Sequence, residues 1–223
     1  MLRRRDFALL TAATAVAAAL PGMSQAQGGP VEGRQYLRLP EAQPTTPGKI
    51  EVIEFFWFGC PHCFAFDPGL EEWLKRLLPD VSFRRVPVGA AAMQRTHQKL
   101  FYALEAMGVE AKVHARIFNA IHVEHQDISE EAGVMSMIAK LGVDMTKFKA
   151  AFSSFGVQSR VVQANKLAEA YRIESIPTMA VGGLFLTSPG MAGNPSQNEI
   201  ARGQAALAVT DALIRQVRSL NKG

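Results

Sequence analysis

Cys60-Pro61-His62-Cys63 is the stretch of this chain best equipped to do chemistry. Two thiols separated by two residues can close a disulfide or contribute to a metal site, and a thiol becomes a nucleophile only when it loses its proton. The chain has two cysteines and both lie here, so no structural disulfide can form elsewhere. Structural zinc needs four ligands and rarely takes them from a single CxxC. Two readings remain: a redox-active pair, or an inert short disulfide or metal half-site.

The flanking residues favour the redox reading. Lys49 to Phe58 is rich in Val, Ile, Phe and Trp, which reads as a buried strand. From Phe64 to Leu78 apolar residues recur at helical spacing, and Pro61 is suited to the first helical position. Cys60 therefore falls at a helix N-terminus, where unpaired backbone N–H groups and the positive end of the helix dipole favour a thiolate. Cys63, one turn in, is expected to be more buried and to act as the resolving thiol. His62 supports the Cys60 thiolate if it is protonated or directs an N–H at the sulfur; otherwise it is an exposed loop histidine. A thiolate of low pKa is also a good leaving group, which suits a disulfide donor. Glu54 lies within the strand, where a carboxylate is costly unless partnered; because Glu51 alternates differently from it, an exposed face is the alternative.

Around this centre the sequence predicts an edge strand at Gln35 to Leu39, a loop from Glu41 to Gly48, and a strand at Val81 to Val88 parallel to the first. Pro68 is expected to bend the first helix and Pro79-Asp80 to end it. Amphipathic helices follow at Gln94–Met107, Glu110–Val123, Ser129–Leu141 and Thr146–Phe155, with a longer one at Val157–Tyr171. Thr178–Val181, a Gly182-Gly183 turn and Leu184–Thr187 read as a hairpin, and Ser196–Leu220 as a final helix. The block from about 90 to 157 is expected to be a helical subdomain inserted into an α/β frame.

At 223 residues the chain is long enough for one domain with a sizeable core, or one domain carrying an insertion, and 48% hydrophobic and 20% charged content are ordinary for a soluble globular protein. Of the +4 formal charge, +2 comes from three arginines and one aspartate in the first six residues, and the remaining +2 is too small to argue for nucleic acid. Residues 1–26 read as a cleaved export signal: Arg3, Arg4 and Arg5, an apolar run from Ala8 to Leu20, then Ser24-Gln25-Ala26 as a cleavage site. Arg4-Arg5-Asp6-Phe7 leaves both twin-arginine and general secretory export open. The mature chain, 27–223, is expected to start near Gln27 in an oxidising compartment.

The order strand, strand, helix, strand, helical block, helix, hairpin, helix resembles the DsbA family of thiol:disulfide interchange proteins. The resemblance spans nearly all of the mature chain. It rests on Glu54-Phe55-Phe56 leading into Phe58-Gly59-Cys60-Pro61-His62-Cys63, on Ser175-Ile176-Pro177-Thr178, and on Ser188-Pro189-Gly190-Met191. It implies an α/β thioredoxin fold with an inserted helical subdomain. It also implies a soluble, monomeric periplasmic enzyme that oxidises newly secreted proteins and is reoxidised by a quinone-linked membrane protein of the DsbB type. The redox group would be the Cys60–Cys63 disulfide itself, with no other cofactor. By the same resemblance Glu54 is the buried acid that relays the Cys63 proton, and Pro177 is a cis-proline facing the cysteines. The Ile176 backbone would pair with an extended substrate. The residues alone leave Pro177 open to an ordinary trans bond. The family usually partners its acid with a lysine; here Arg85 takes that place, and a permanently charged guanidinium would keep Glu54 more ionised.

Other residues carry weaker chemistry. His122 and His125 could share a helix face and bind metal, but lack a third ligand in sequence reach, so a solvated helix end is the expectation. The nine methionines raise a copper reading, yet most have core spacing, as Met135 and Met137 do, or lie in the signal. Two further functional classes stay open: a reductase or isomerase on the same fold, although no dimerisation domain accompanies it, and a non-catalytic metal- or peptide-binding module.

Overall fold

The computed structural model describes residues 28–221; the stretch expected to be an export signal, 1–26, lies outside them. The strands are β1 (Leu37–Arg38), β2 (Ile50–Phe56), β3 (Val81–Pro87), β4 (Thr178–Val181) and β5 (Phe185–Thr187). They form one sheet in the order β1-β5-β4-β2-β3. β2 runs parallel to β3 and antiparallel to β4, with Glu54 opposite Arg85 in the first register and Met179 in the second. Every residue of β2 is buried, because it has a strand on each side and helices over both faces.

The crossover from β2 to β3 is α1 (Pro61–Leu74). It ends short of Leu78, since the residue before Pro79 is disfavoured in the α region, and turns carry the chain on to Val81. Pro68 lies inside it without ending it. Between β3 and β4 come α2 (Ala92–Ala106), α3 (Glu110–His122), α4 (Glu131–Lys140), α5 (Met145–Phe152) and α6 (Phe155–Ala170). α7 (Pro189–Ala192) and α8 (Glu199–Leu220) complete the chain.

Two apolar clusters hold the layers together. Phe66, Leu70 and Trp73 of α1 pack with Val52, Val181 and the buried face of α8, and Trp73 Nε1 donates to Asp211 Oδ1 at 2.8 Å. On the side of the helical block, Phe55, Phe56, Phe58 and both cysteines join Phe101, Phe118, Phe148 and Phe152. Burying each such ring contributes about 1.5–3 kcal/mol, so the helical block is anchored on the segment that leads into the cysteines. The β4–β5 turn needs its two glycines: Gly182 and Gly183 have φ of 61° and 66°, and a Cβ on Gly183 would lie 2.2 Å from the Gln43 carbonyl oxygen.

Candidate active site

Cys60 is the N-cap of α1, with φ −85° and ψ 118°, and Pro61 opens the helix. No side chain caps this end, so the first N–H groups are left to the Cys60 sulfur. A hydrogen bond from the Cys63 side chain, the N–H groups of Cys63 and His62 and the charge of His62 together outweigh partial burial and lower the Cys60 pKa from 9.0 to about 6. Cys63 is fully buried; desolvation first, then Cys60 and the Glu54 charge, push its thiol far above the usual range. The structure holds both as free thiols. One turn of helix thus separates a readily ionised sulfur from one that stays protonated.

Cys60 Sγ lies 3.9 Å from the carbonyl oxygen of Ile176, and the Ile176–Pro177 peptide bond is cis. His62 is well exposed, and its Nδ1 lies 3.1 Å from Glu199 Oε2 at the start of α8. Sequence reasoning missed this neighbour, since the two are 137 residues apart. His62, Ile176, Pro177, Ser188, Pro189 and Glu199 line a cleft of about 150 Å³ beside the cysteines.

Glu54 is buried and receives Arg85 Nε at 2.9 Å. Desolvation dominates and raises its pKa to about 7, although Arg85 pulls the other way. Both alternating acids of β2 are in fact buried: Glu51, on the opposite face, accepts Arg84 Nε at 3.2 Å. Arg85 also reaches α1, donating to Asp67 Oδ1 at 3.1 Å and Glu71 Oε1 at 2.7 Å. Burial works against its charge, but Glu54, Asp67 and Glu71 outweigh burial and raise its pKa. The sequence offered one clue to Asp67, which follows Cys63 by four residues and so shares its helix face.

His122 is not a solvated helix end. Its Nε2–H donates to the Phe58 carbonyl at 2.8 Å and its ring stacks on Phe64 at 4.8 Å, while His125 is exposed in a left-handed conformation with φ 53°. Among the described residues no cluster of three or more His, Cys, Asp or Glu is placed to hold a metal ion.

A parallel–antiparallel sheet, a helix starting at an asymmetric CxxC pair and, beside the outer sulfur, the carbonyl that precedes a cis-proline define a thioredoxin-fold thiol:disulfide oxidoreductase. A model of the DSBA-like thioredoxin domain matches residues 80–202. The thiol:disulfide interchange protein DsbA of Azotobacter vinelandii is 44% identical over 188 residues, 84% of either chain. That of Pseudomonas syringae pv. tomato is 39% identical over 216 residues, 96% of this chain and 97% of the relative, a span that must include the cysteines. The crystal structure of Pseudomonas aeruginosa DsbA superposes with a TM-score of 0.80 at 37% identity, covering 86% of this chain and 97% of that one. The chain belongs to the DsbA family of thiol:disulfide interchange proteins.

Proposed function

We propose that this protein is an exported, periplasmic oxidase that donates its Cys60–Cys63 disulfide to reduced, newly secreted proteins. The observation that carries this reading is the asymmetry of the two sulfurs: Cys60 ionises near pH 6 while Cys63 is held protonated by burial. A pair whose reduced form contains a stabilised thiolate gives up its disulfide readily.

A substrate thiolate attacks Cys60 Sγ, the Cys60–Cys63 bond breaks and a mixed disulfide forms. The departing Cys63 sulfur takes a proton from Glu54, whose pKa of about 7 lets it hold or release one near neutrality. A second substrate thiolate then attacks the substrate sulfur, the Cys60 thiolate leaves, and two electrons remain on the dithiol. His62 and the α1 N-terminus stabilise that thiolate, Pro61 starts the helix that presents it, and Arg85 holds Glu54. The Ile176 backbone, before Pro177, receives the substrate as an added strand. The disulfide is the only redox group required, and a quinone-linked membrane partner of the DsbB type restores it. The protein acts as a monomer, with residues 1–26 removed and the helical block of about 90–157 covering the site.

The test is a glutathione redox equilibrium of the Cys60–Cys63 pair together with oxidative folding of a reduced, unfolded substrate. A potential well above that of thioredoxin and stoichiometric oxidation are expected. A potential near thioredoxin's would point to a reductase, and metal retention without redox cycling to a binding module.

A further inference from the structure

His114 lies outside every role assigned above, yet it is buried and joined to the same charges. Its ring is packed against Phe58, Phe118 and Phe56, with centroids 5.0, 5.2 and 5.4 Å away. Nδ1 hydrogen-bonds Glu110 Oε1, one turn earlier on α3. Nε2 lies 3.2 Å from Asp67 Oδ1 of α1, at ion-pair distance but off the hydrogen-bond line. The same Asp67 oxygen accepts Arg85, which in turn holds Glu54. A continuous chain, Glu54–Arg85–Asp67–His114–Glu110, therefore runs from β2 through β3 and α1 into the helical block.

The charge balance of this chain fixes what His114 must be. Glu54, Asp67 and Glu110 are all buried, and Glu71 is half exposed. Among the described residues, the cations within ion-pair distance of these carboxylates are the Arg85 guanidinium and the His114 ring. With a neutral imidazole, Asp67 would draw on Arg85 alone, in competition with Glu54. With an imidazolium, Asp67 is compensated from both sides. The local balance favours the charged ring: burial lowers its pKa, but Asp67 and Glu110 outweigh burial and the repulsion from Arg85, and the net shift is upward.

We propose that His114 is a positioning residue through which the helical block sets the proton affinity of Glu54, its imidazolium neutralising Asp67 so that Arg85 serves Glu54. This rests on the reading of Glu54 as the proton partner of Cys63. In the step concerned, the Cys63 sulfur attacks the Cys60 sulfur of a mixed disulfide and its proton passes to the Glu54 carboxylate. The Cys60–Cys63 bond forms and the substrate departs as a thiolate. Glu54 must be ionised to accept that proton. His114 lowers the Glu54 pKa and Asp67 raises it, so loss of the imidazolium moves Glu54 upward on both counts.

The experiment measures release of glutathione from the Cys60 mixed disulfide in single turnovers across pH, in wild type, His114→Gln, Glu110→Gln and Glu54→Gln. Wild type should show an acidic limb. His114→Gln should move its midpoint up by about half a unit or more, a loss of about three-fold in rate on the acidic side. Glu110→Gln should shift it the same way, while the Cys60 thiolate titration moves less than the limb. A limb unmoved in a folded His114→Gln, while Glu54→Gln abolishes it, overturns the role of His114 alone. A limb that survives Glu54→Gln overturns the Glu54 reading instead, and this proposal with it. Should His114→Gln fail to fold, nitrogen NMR of the wild-type ring decides: protonation of both nitrogens at about pH 7 is expected, and a neutral ring overturns the proposal.

Discussion

The carbonyl oxygen of Ile176 lies 3.9 Å from Cys60 Sγ, although 116 residues separate the two in sequence. The contact places the loop between α6 and β4 beside the nucleophile. A substrate strand laid against Ile176 would thus have its own sulfur beside Cys60, and Cys63, fully buried, would be reached only through Cys60.

Access of this kind predicts an asymmetric outcome for the two serine variants. Cys60→Ser should abolish oxidation of a reduced model protein. Cys63→Ser should accumulate mixed disulfides through Cys60, seen as a mass increase reversed by reductant, because no resolving thiol is present. Equal trapping by both variants would show that Cys63 also meets substrate, and the assignment of the nucleophile would be wrong.

The Cys60 thiolate should make the reduced protein more stable than the oxidised one at neutral pH. The folded pKa of about 6 lies below the ordinary 9.0, so the stabilising contribution is complete above the unfolded thiol's pKa and is lost as pH falls through the folded one. Between those values the advantage of the reduced form should grow with pH. Cys63 stays protonated when folded and works the other way only where unfolded thiols ionise, so the comparison belongs at about pH 5 to 8. Thermal melts of both redox forms across that range should show a gap that widens with pH. A higher midpoint for the oxidised form near pH 7.5 would count against a strong oxidant.

Most of the frame was legible because it rests on local signals. Pro61 after an apolar strand set the start of α1, the Gly182-Gly183 pair set the β4–β5 turn, and helical spacing located the five helices between β3 and β4. α7 was not identified from sequence, although Ser188 caps it and Pro189 takes its first position; at four residues it has no period to detect. The charged network was legible only in its first pair, Glu54 and Arg85, which the parallel register sets side by side. Asp67 shows in the sequence only by following Cys63 by four residues, and Glu110 and His114 join it through packing of α1 on α3, which no spacing in the sequence reports. The same applies to His122, whose partner is a backbone carbonyl 64 residues away.

Arg85 holds three carboxylates at once, and its loss should be costly for that reason. Arg85→Met leaves Glu54 and Asp67 buried without their guanidinium, and breaking a buried pair costs about 3–5 kcal/mol. Arg85→Lys keeps a charge but offers a point donor in place of a fork, so a smaller loss of about 1–2 kcal/mol is expected. Urea unfolding of the reduced proteins at neutral pH measures both. A change within about 0.5 kcal/mol for Arg85→Met would mean that the carboxylates relax or take up protons at little cost.

His62 is expected to tune Cys60 only in part. The leading support for the thiolate comes from the Cys63 side chain, and His62 contributes through its backbone N–H as well as its charge. His62→Leu keeps the backbone N–H and the helix terminus and removes the ring. It also leaves Glu199, 3.1 Å from Nδ1 in the native site, as an unpaired carboxylate at the edge of the cleft. Both changes disfavour a thiolate, so the Cys60 pKa should rise, by about one unit, and the pair should become less oxidising by about 30 mV, the same 1.4 kcal/mol read two ways. His62→Leu combined with Glu199→Gln separates the two effects: recovery of part of the shift would assign that part to the exposed carboxylate. Thiolate absorbance titration and a glutathione equilibrium on each protein give the two readings independently. A normal fold with an unmoved Cys60 pKa would show that the helix terminus and Cys63 suffice, and His62 would be a bystander at its own motif.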